Sequence, residues 1–360
     1  MPKGIYVATG PGLNVPYHLK EVPLQGHECD PRTVRLSPQG LHATAYCSGL
    51  IILRNAEGKI QNDFGLEKCA TILRFTPRGE YLAAGLCDKT VAVLDLKTGG
   101  LVANVPNTVK DFYIFLMDVS SHGYIAAVGL NNQRLEVQVL DFSGMHVASL
   151  RRKLVDKEDH HSAIPEALQF HEANPDILSI GYADGFVLDW DFKRGSVVSK
   201  TRELSGDYSQ ISLIRNIEDG TKVIGGDWSR LSISGMGKCP AYIDADFHGF
   251  KFGEVKDFAT CGKSSINWWG NVVGYCGGGV KHNLHLTRVN GSTERILSIF
   301  APCYKRDITF ESLALLTKMD VLTVLVTGMW HPDSCVSAEK SKASLLRLTM
   351  DRPLTMAECM

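Results

Sequence analysis

The chain has 360 residues, with 38 basic and 39 acidic side chains and a net charge of −1. That balance sets up no global field for nucleic acid or an acidic membrane. Ten cysteines are scattered without one CxxC pair, which argues against a structural zinc site and for a reducing compartment.

In chain order, Gly4 to Thr9 is apolar enough for a strand, and the N-terminal stretch MPKGIYVATGPG lacks the apolar run of a signal peptide. From residue 69 to 106 the pattern is clearest. Ala70 to Phe75 is short, apolar and partly β-branched, so it predicts a strand. Thr76-Pro77-Arg78-Gly79 is turn chemistry. Tyr81 to Leu86 predicts a second strand with little bulk at Ala83, Ala84 and Gly85. Cys87-Asp88-Lys89 turns again, and Thr90 to Asp95 alternates around Val91 and Val93, as a half-buried strand does. Lys97-Thr98-Gly99-Gly100 leads into an outer strand, Leu101 to Val105. The result is one four-stranded antiparallel unit.

Weaker copies recur. A small residue closes the second strand of each unit at Ala45, Gly85, Gly129, Gly181, Gly225, Gly274 and Gly328, with spacings of 40, 44, 52, 44, 49 and 54 residues. A turn precedes it at Gly40, Gly79, Gly123, Pro175, Gly220, Gly270 and, weakly, Asp320. An apolar-Asp pair marks the third strand at Leu94-Asp95, Leu140-Asp141 and Trp190-Asp191. The surplus length falls near residues 151–161 and 330–343, which read as insertions. The most hydrophobic window, Leu313 to Val326, contains Lys318 and Asp320 and is no membrane span.

The stretch at 69–106 resembles the WD40 repeat family. The resemblance lies in Pro77 and Gly79, the turn Asp88, Leu94-Asp95 at the family's Trp-Asp position, and Thr98-Gly99 beyond it. The second-clearest copy, SIGYADGFVLDWDFKRGSVV, carries Trp190-Asp191 itself. The resemblance implies an all-β fold: a single seven-bladed propeller over residues 1–360, four antiparallel strands to a blade. It also implies that a terminal strand, here near 4–9, helps close the ring and removes exposed sheet edges. Gly79, Gly85, Asp95, Gly129, Asp141, Gly181, Trp190, Asp191 and Gly225 are then structural residues, the glycines fitting where blades crowd together. The family's His–Asp network would pair His160 or His161 with Asp184, and Gly26-His27 matches its Gly-His dipeptide. The first unit's turn, Cys47-Ser48-Gly49, has no Asp to receive that histidine.

Motifs with chemistry on offer dissolve on inspection. Cys261-Gly262-Lys263-Ser264 is half a phosphate loop, but Asp257 stands where its first glycine belongs and no helix follows. Gly274 to Lys281, GYCGGGVK, reads as a loose strand–turn. Asp156 to His161, DKEDHH, reads as a solvated loop rather than a metal site, since adjacent side chains on extended chain point apart. Asn290-Gly291-Ser292 is a sequon that reads as a hairpin turn. No GxSxG elbow occurs. No catalytic residue, cofactor or metal is expected.

Loops on a rigid scaffold carry function. On a propeller resembling WD40, the usual binding face is built from the second-to-third strand turns and the blade connections. Carried over, it includes Asp88, Lys89, Asn131, Asn132, Asp184, Asp227, Trp228, Arg230, Trp330 and His331. Asp227-Trp228-Ser229-Arg230 and Trp330-His331 lead, because Trp and Arg dominate binding hot spots; the alternative is that either Trp packs against a neighbouring blade. The expected role is a non-catalytic scaffold in a multi-subunit intracellular assembly of proteins, cytoplasmic with the nucleus as alternative, of the kind such repeats serve mainly in eukaryotes. Nucleic acid is not expected as the main partner, and self-association is open. The alternatives are an enzyme or small-molecule binder using the channel, and a nucleic-acid or ribosome-associated propeller.

Overall fold

The computed structural model describes residues 6–9, 17–24, 29–105, 116–131, 134–151, 164–171, 173–202, 211–216, 222–226, 230–234, 241–244, 255–260, 272–277, 283–289, 293–300, 308–318, 321–330 and 342–351. Every regular element among them is a strand, and the strands form seven antiparallel sheets. The first sheet holds Pro31–Leu36, His42–Tyr46, Leu50–Arg54 and Ile60–Gly65. The second holds Ala70–Phe75, Tyr81–Leu86, Val91–Asp95 and Leu101–Val105. The third holds Leu116–Val119, Tyr124–Asn131, Arg134–Asp141 and His146–Arg151. The fourth holds Pro165–Phe170, Ile177–Tyr182, Phe186–Asp191 and Ser196–Arg202.

The fifth sheet contains Ile211–Asn216, Lys222–Gly226, Arg230–Ser234 and Ala241–Asp244. The sixth contains Val255–Thr260, Val272–Gly277, Asn283–Val289 and Thr293–Phe300. The seventh contains Ile308–Lys318, Val321–Trp330 and Lys342–Asp351. The first strand of each sheet touches the first strand of the next, and Ile308–Lys318 returns to Pro31–Leu36. The sheets therefore stand in a closed ring with their first strands innermost, which is a β-propeller.

Burial follows from this stacking. Along Tyr81–Leu86, Leu82, Ala84 and Leu86 pack on Ala43, Ala45 and Ile51 of the first sheet, while Ala83 packs on Met117 and Ile125 of the third. A strand with a neighbour on each face loses its polar alternation. The same holds for Val91–Asp95, where Val91, Ala92, Val93 and Leu94 are all buried. The half-buried strand expected at 90–95 is thus buried on both faces, because alternate side chains enter two different interfaces. Each fully buried Leu or Ile in such an interface contributes about 2 kcal/mol.

The small markers at Ala45, Gly85, Gly129, Gly181, Gly225, Gly274 and Gly328 all lie on second strands. Gly181 shows the reason. A Cβ there would sit 2.5 Å from Ile211 Cγ2 of the fifth sheet. The crowding is therefore between adjacent sheets. The apolar-Asp pairs serve turns: Asp95 Oδ1 accepts from Lys97 N at 2.8 Å and Thr98 N at 2.9 Å, Asp141 Oδ1 from Met145 N at 3.0 Å, and Asp191 Oδ1 from Arg194 N at 2.9 Å. Trp190, 2% exposed, belongs to the core between the third and fourth sheets.

Ring closure differs in one strand from expectation. Tyr6–Thr9 does not complete the last sheet; it pairs with Thr293–Phe300 as a fifth strand of the sixth. Tyr17–Val22 completes the seventh, in register with Lys342–Asp351 from Tyr17–Met350 to Val22–Leu345. The longer strand supplies what four residues cannot: six rungs, with Val22 buried among Leu36, Ala314 and Leu325. Of the two expected insertions, 152–161 and 331–341 lie outside the described residues. The second joins Trp330 to its ladder partner Lys342, so it belongs to a second-to-third strand connection.

Candidate functional site

The second-to-third strand turns share one end of the ring. Three of them are built alike. Gly49 N donates to Tyr46 O at 3.1 Å, Lys89 N to Leu86 O at 3.0 Å, and Gly185 N to Tyr182 O at 3.1 Å. The residue before each donor caps the next strand: Ser48 Oγ accepts from Leu50 N at 3.4 Å, Asp88 Oδ1 from Thr90 N at 3.1 Å and Thr90 Oγ1 at 2.7 Å, and Asp184 Oδ1 from Phe186 N at 3.4 Å. Desolvation pushes the Asp88 carboxyl up, but the Thr90 hydrogen bonds and the Lys68 charge outweigh it and hold it below the usual range.

The donor position is left-handed, with φ of 86° at Gly49 and 82° at Gly185. In the second sheet it is Lys89, at φ 73°, which stands alone among the described non-glycine residues in having positive φ. A side chain in this region costs about 1–2 kcal/mol, which glycine avoids.

Of the expected contact residues, Asp88, Lys89 and Asp184 sit at the tips of these turns, with Asp88 exposed and the other two half-buried. Asn131 ends the second strand of the third sheet opposite Arg134, Arg230 opens the third strand of the fifth, and Trp330 ends the second strand of the seventh. The fold thus brings these positions to one end of the ring. Asn132, Asp227, Trp228 and His331 lie outside the described residues. So do His27, the DKEDHH stretch with His160 and His161, Cys261 to Ser264, and the tips at 278–281 and 290–292. The strands flanking the last tip are paired through Val289 and Thr293.

Among the described residues, two polar constellations lie away from that face, and both couple one sheet to the next. In the fourth sheet, Asp189 is flanked by the buried Leu188 and Trp190. It accepts from Ser179 Oγ at 2.5 Å, Ser199 Oγ at 2.7 Å, and Lys222 Nζ of the fifth sheet at 2.7 and 2.8 Å. Burial pushes its carboxyl up, but hydrogen bonds from His171, Lys222 and Ser179 and the Lys222 charge hold it far below the usual range. The trio of Ser179, His171 and Asp189 is no nucleophilic relay. His171 Nε2 meets both Ser179 Oγ at 2.9 Å and Asp189 Oδ1 at 3.6 Å, whereas a relay divides serine and carboxylate between the two ring nitrogens. Ser179 is also fully buried.

The second constellation joins the first sheet to the seventh. Arg54 Nη1 donates to Thr44 Oγ1 at 3.1 Å, and Thr44 Oγ1 lies 3.5 Å from His42 Nδ1. His42 Nε2 lies 2.8 Å from Thr327 Oγ1, whose proton goes to Ser344 O at 2.8 Å. With that proton committed, Thr327 accepts from His42 Nε2–H, and Nδ1 is left to accept from Thr44. The ring is neutral in this chain of bonds. Burial, with the Arg54 charge beside it, lowers the His42 pKa to about 3. Sequence reasoning passed over both groups. The available signal was a carboxylate and an arginine inside apolar strands, where each needs a partner.

Among the described residues no three His, Cys, Asp or Glu side chains are placed to hold a metal ion. No described helix is long and apolar enough to cross a membrane.

Comparison with known proteins supports the fold. No family model matches the sequence, and no curated protein matches it. Among solved structures, the β-propeller domain of Cps50 (Swd1) from Myceliophteria thermophila superposes with a TM-score of 0.61 at 13% identity, covering 92% of this chain and 99% of that one. The WD40 repeats of RRP9 give a TM-score of 0.59 at 14% identity, covering 96% and 100%. The chain shares the β-propeller fold of both.

Proposed function

We propose that the chain is a non-catalytic scaffold that binds other proteins of an intracellular assembly through its second-to-third strand turns. The observation that carries this reading is Lys89. It holds a left-handed backbone at the tip of a turn where two sister turns use glycine. Strain kept at a surface position points to a use for the side chain there. Trp228 and Arg230 in the fifth unit, and Trp330 and His331 in the seventh, supply the aromatic and basic contacts. Asn131 and Asp184 lie at the same end of the ring, and Asn132 and Asp227 are included on the sequence alone. A cytoplasmic or nuclear site fits the cysteine usage.

The test is affinity purification of the tagged chain from its native cell, with mass spectrometry of what co-purifies. Lys89→Gly keeps the turn and relieves its strain, and a thermal melt separates a lost partner from a loss of fold. Trp228→Ala tests the fifth unit in parallel, with a thermal melt to show that the ring is intact. The expected result is a defined set of proteins that both variants lose. Unchanged partners in both variants, or a lone monomer with hydrolytic turnover, would overturn the proposal.

A further inference from the structure

We propose that Cys69 and Cys87 form a two-cysteine redox site, closing reversibly into a cross-strand disulfide by exchange with a small disulfide such as oxidised glutathione. Cys87 N donates to Cys69 O at 3.0 Å, the rung next to the Ala70–Leu86 pair. The same rung recurs as Cys47 N to Asp30 O at 3.0 Å and Ala183 N to Ile164 O at 2.9 Å. This is therefore a regular point of the fold, and of these three rungs the second sheet's carries a thiol on both strands. Directly opposed residues of an antiparallel pair put their side chains on one face. Their Cα atoms lie about 4.5–5.5 Å apart, within the about 4.4–6.8 Å that a disulfide spans.

The surroundings suit exchange. Cys87 is exposed and Cys69 half-buried, so an incoming disulfide reaches Cys87 first. The Cys69 thiol hydrogen-bonds to the Cys87 sulfur, and this contact, with desolvation, holds Cys69 above the usual thiol range. Cys69 thus keeps its proton and shares it with the Cys87 sulfur only as a hydrogen bond. The Arg32 charge acts on Cys69 in the opposite sense but is outweighed.

The exchange balances in two steps. The Cys87 thiolate attacks one sulfur of glutathione disulfide and expels glutathione thiolate. Cys69 then gives its proton to solvent, attacks the Cys87 sulfur of the mixed disulfide, and expels the second glutathione. The two protein thiols are oxidised and one glutathione disulfide is reduced to two glutathiones. The linkage would pin the start of the inner strand to the turn that carries Asp88 and Lys89. It needs only the folded chain and stands apart from the partner reading.

The full chain is reduced, equilibrated across a series of reduced-to-oxidised glutathione ratios, quenched with N-ethylmaleimide and digested with trypsin without reductant. Cleavage after Lys68, Arg74, Arg78 and Lys89 isolates the thiols in CATILR and GEYLAAGLCDK, one cysteine each. The expected product is these two peptides joined, two hydrogens lighter than their sum, appearing as the ratio turns oxidising and lost on returning to excess reduced glutathione. In Cys69→Ser, Cys87 is expected to accumulate as the glutathione mixed disulfide. Recovery of both peptides separately alkylated under oxidising ratios, while Cys47 takes up glutathione, would sink the proposal. So would Cys87 linked to Cys47 instead, or the Cys69–Cys87 link forming equally fast in denaturant, where the fold no longer opposes the pair.

Discussion

Lowering the pH from 7.5 to 5.0 is expected to weaken the joint between the first and seventh sheets through His42. In the unfolded chain this ring titrates near pH 6.5 and takes up a proton at pH 5.0. In the fold its pKa is about 3, so it stays neutral. The unfolded state then binds more protons, and stability falls as pH drops through 6.5 and on toward 3. Between pH 7.5 and 5.0 the linked loss is about 2 kcal/mol for this one side chain. The geometry gives the same sign. A proton on Nδ1 would displace the Thr44 hydroxyl, 3.5 Å away, and set a cation beside the buried Arg54.

The assay is urea denaturation at both pH values, followed by circular dichroism, for the wild-type chain and His42→Gln. Glutamine keeps a donor for Thr327 and an acceptor for Thr44 but does not titrate. The variant is expected to start less stable at pH 7.5 and to lose about 2 kcal/mol less than wild type on acidification. Other histidines and carboxylates act alike in both proteins, so the double difference isolates His42. Equal acid-induced losses in the two proteins would refute the reasoning.

Three further perturbations follow from the same contacts. Lys222→Ala takes the cation from the half-buried Asp189 carboxylate, which keeps its Ser179 and Ser199 hydrogen bonds, at a cost of about 1–2 kcal/mol; a urea midpoint within error of wild type would show that the latch between the fourth and fifth sheets carries no stability. Gly181→Ala forces its new methyl onto Ile211 and is expected to lower stability by about 1–3 kcal/mol in the same assay, because a Cβ there lies 2.5 Å from Ile211 Cγ2. Lys89→Gly is expected to raise stability by about 1 kcal/mol through relief of the left-handed turn; a lower melting temperature would mean that the lysine contributes contacts worth more than its strain.

Much of the scaffold was legible from the residues themselves. Pro77, Gly79, Asp88, Asp95 and Gly99 act over two to four positions, so their turns can be read wherever they occur. The seven small residues, recurring with second strands, set the number and order of the units for the same reason: each unit repeats one local geometry. At the site, Asp88, Lys89 and Asp184 were legible as turn positions. What Asp88 and Asp184 do there, capping the next strand, follows from their own backbone.

Other features depended on which strands became neighbours. Nothing in YVAT or YHLKEV states which completes the last sheet; that depends on Lys342–Asp351 offering an edge to Tyr17–Val22, more than 300 residues away in sequence. Asp189 lies in an apolar strand and finds its cation, Lys222, on the next sheet, and His42 is a neutral link only because Thr327 of the last sheet stands behind it. Local sequence determines turns and strand periods because short-range sterics and hydrogen bonds act within a few residues. Pairing between distant strands, buried charge compensation and the opposition of Cys69 to Cys87 were decided only when the chain closed on itself.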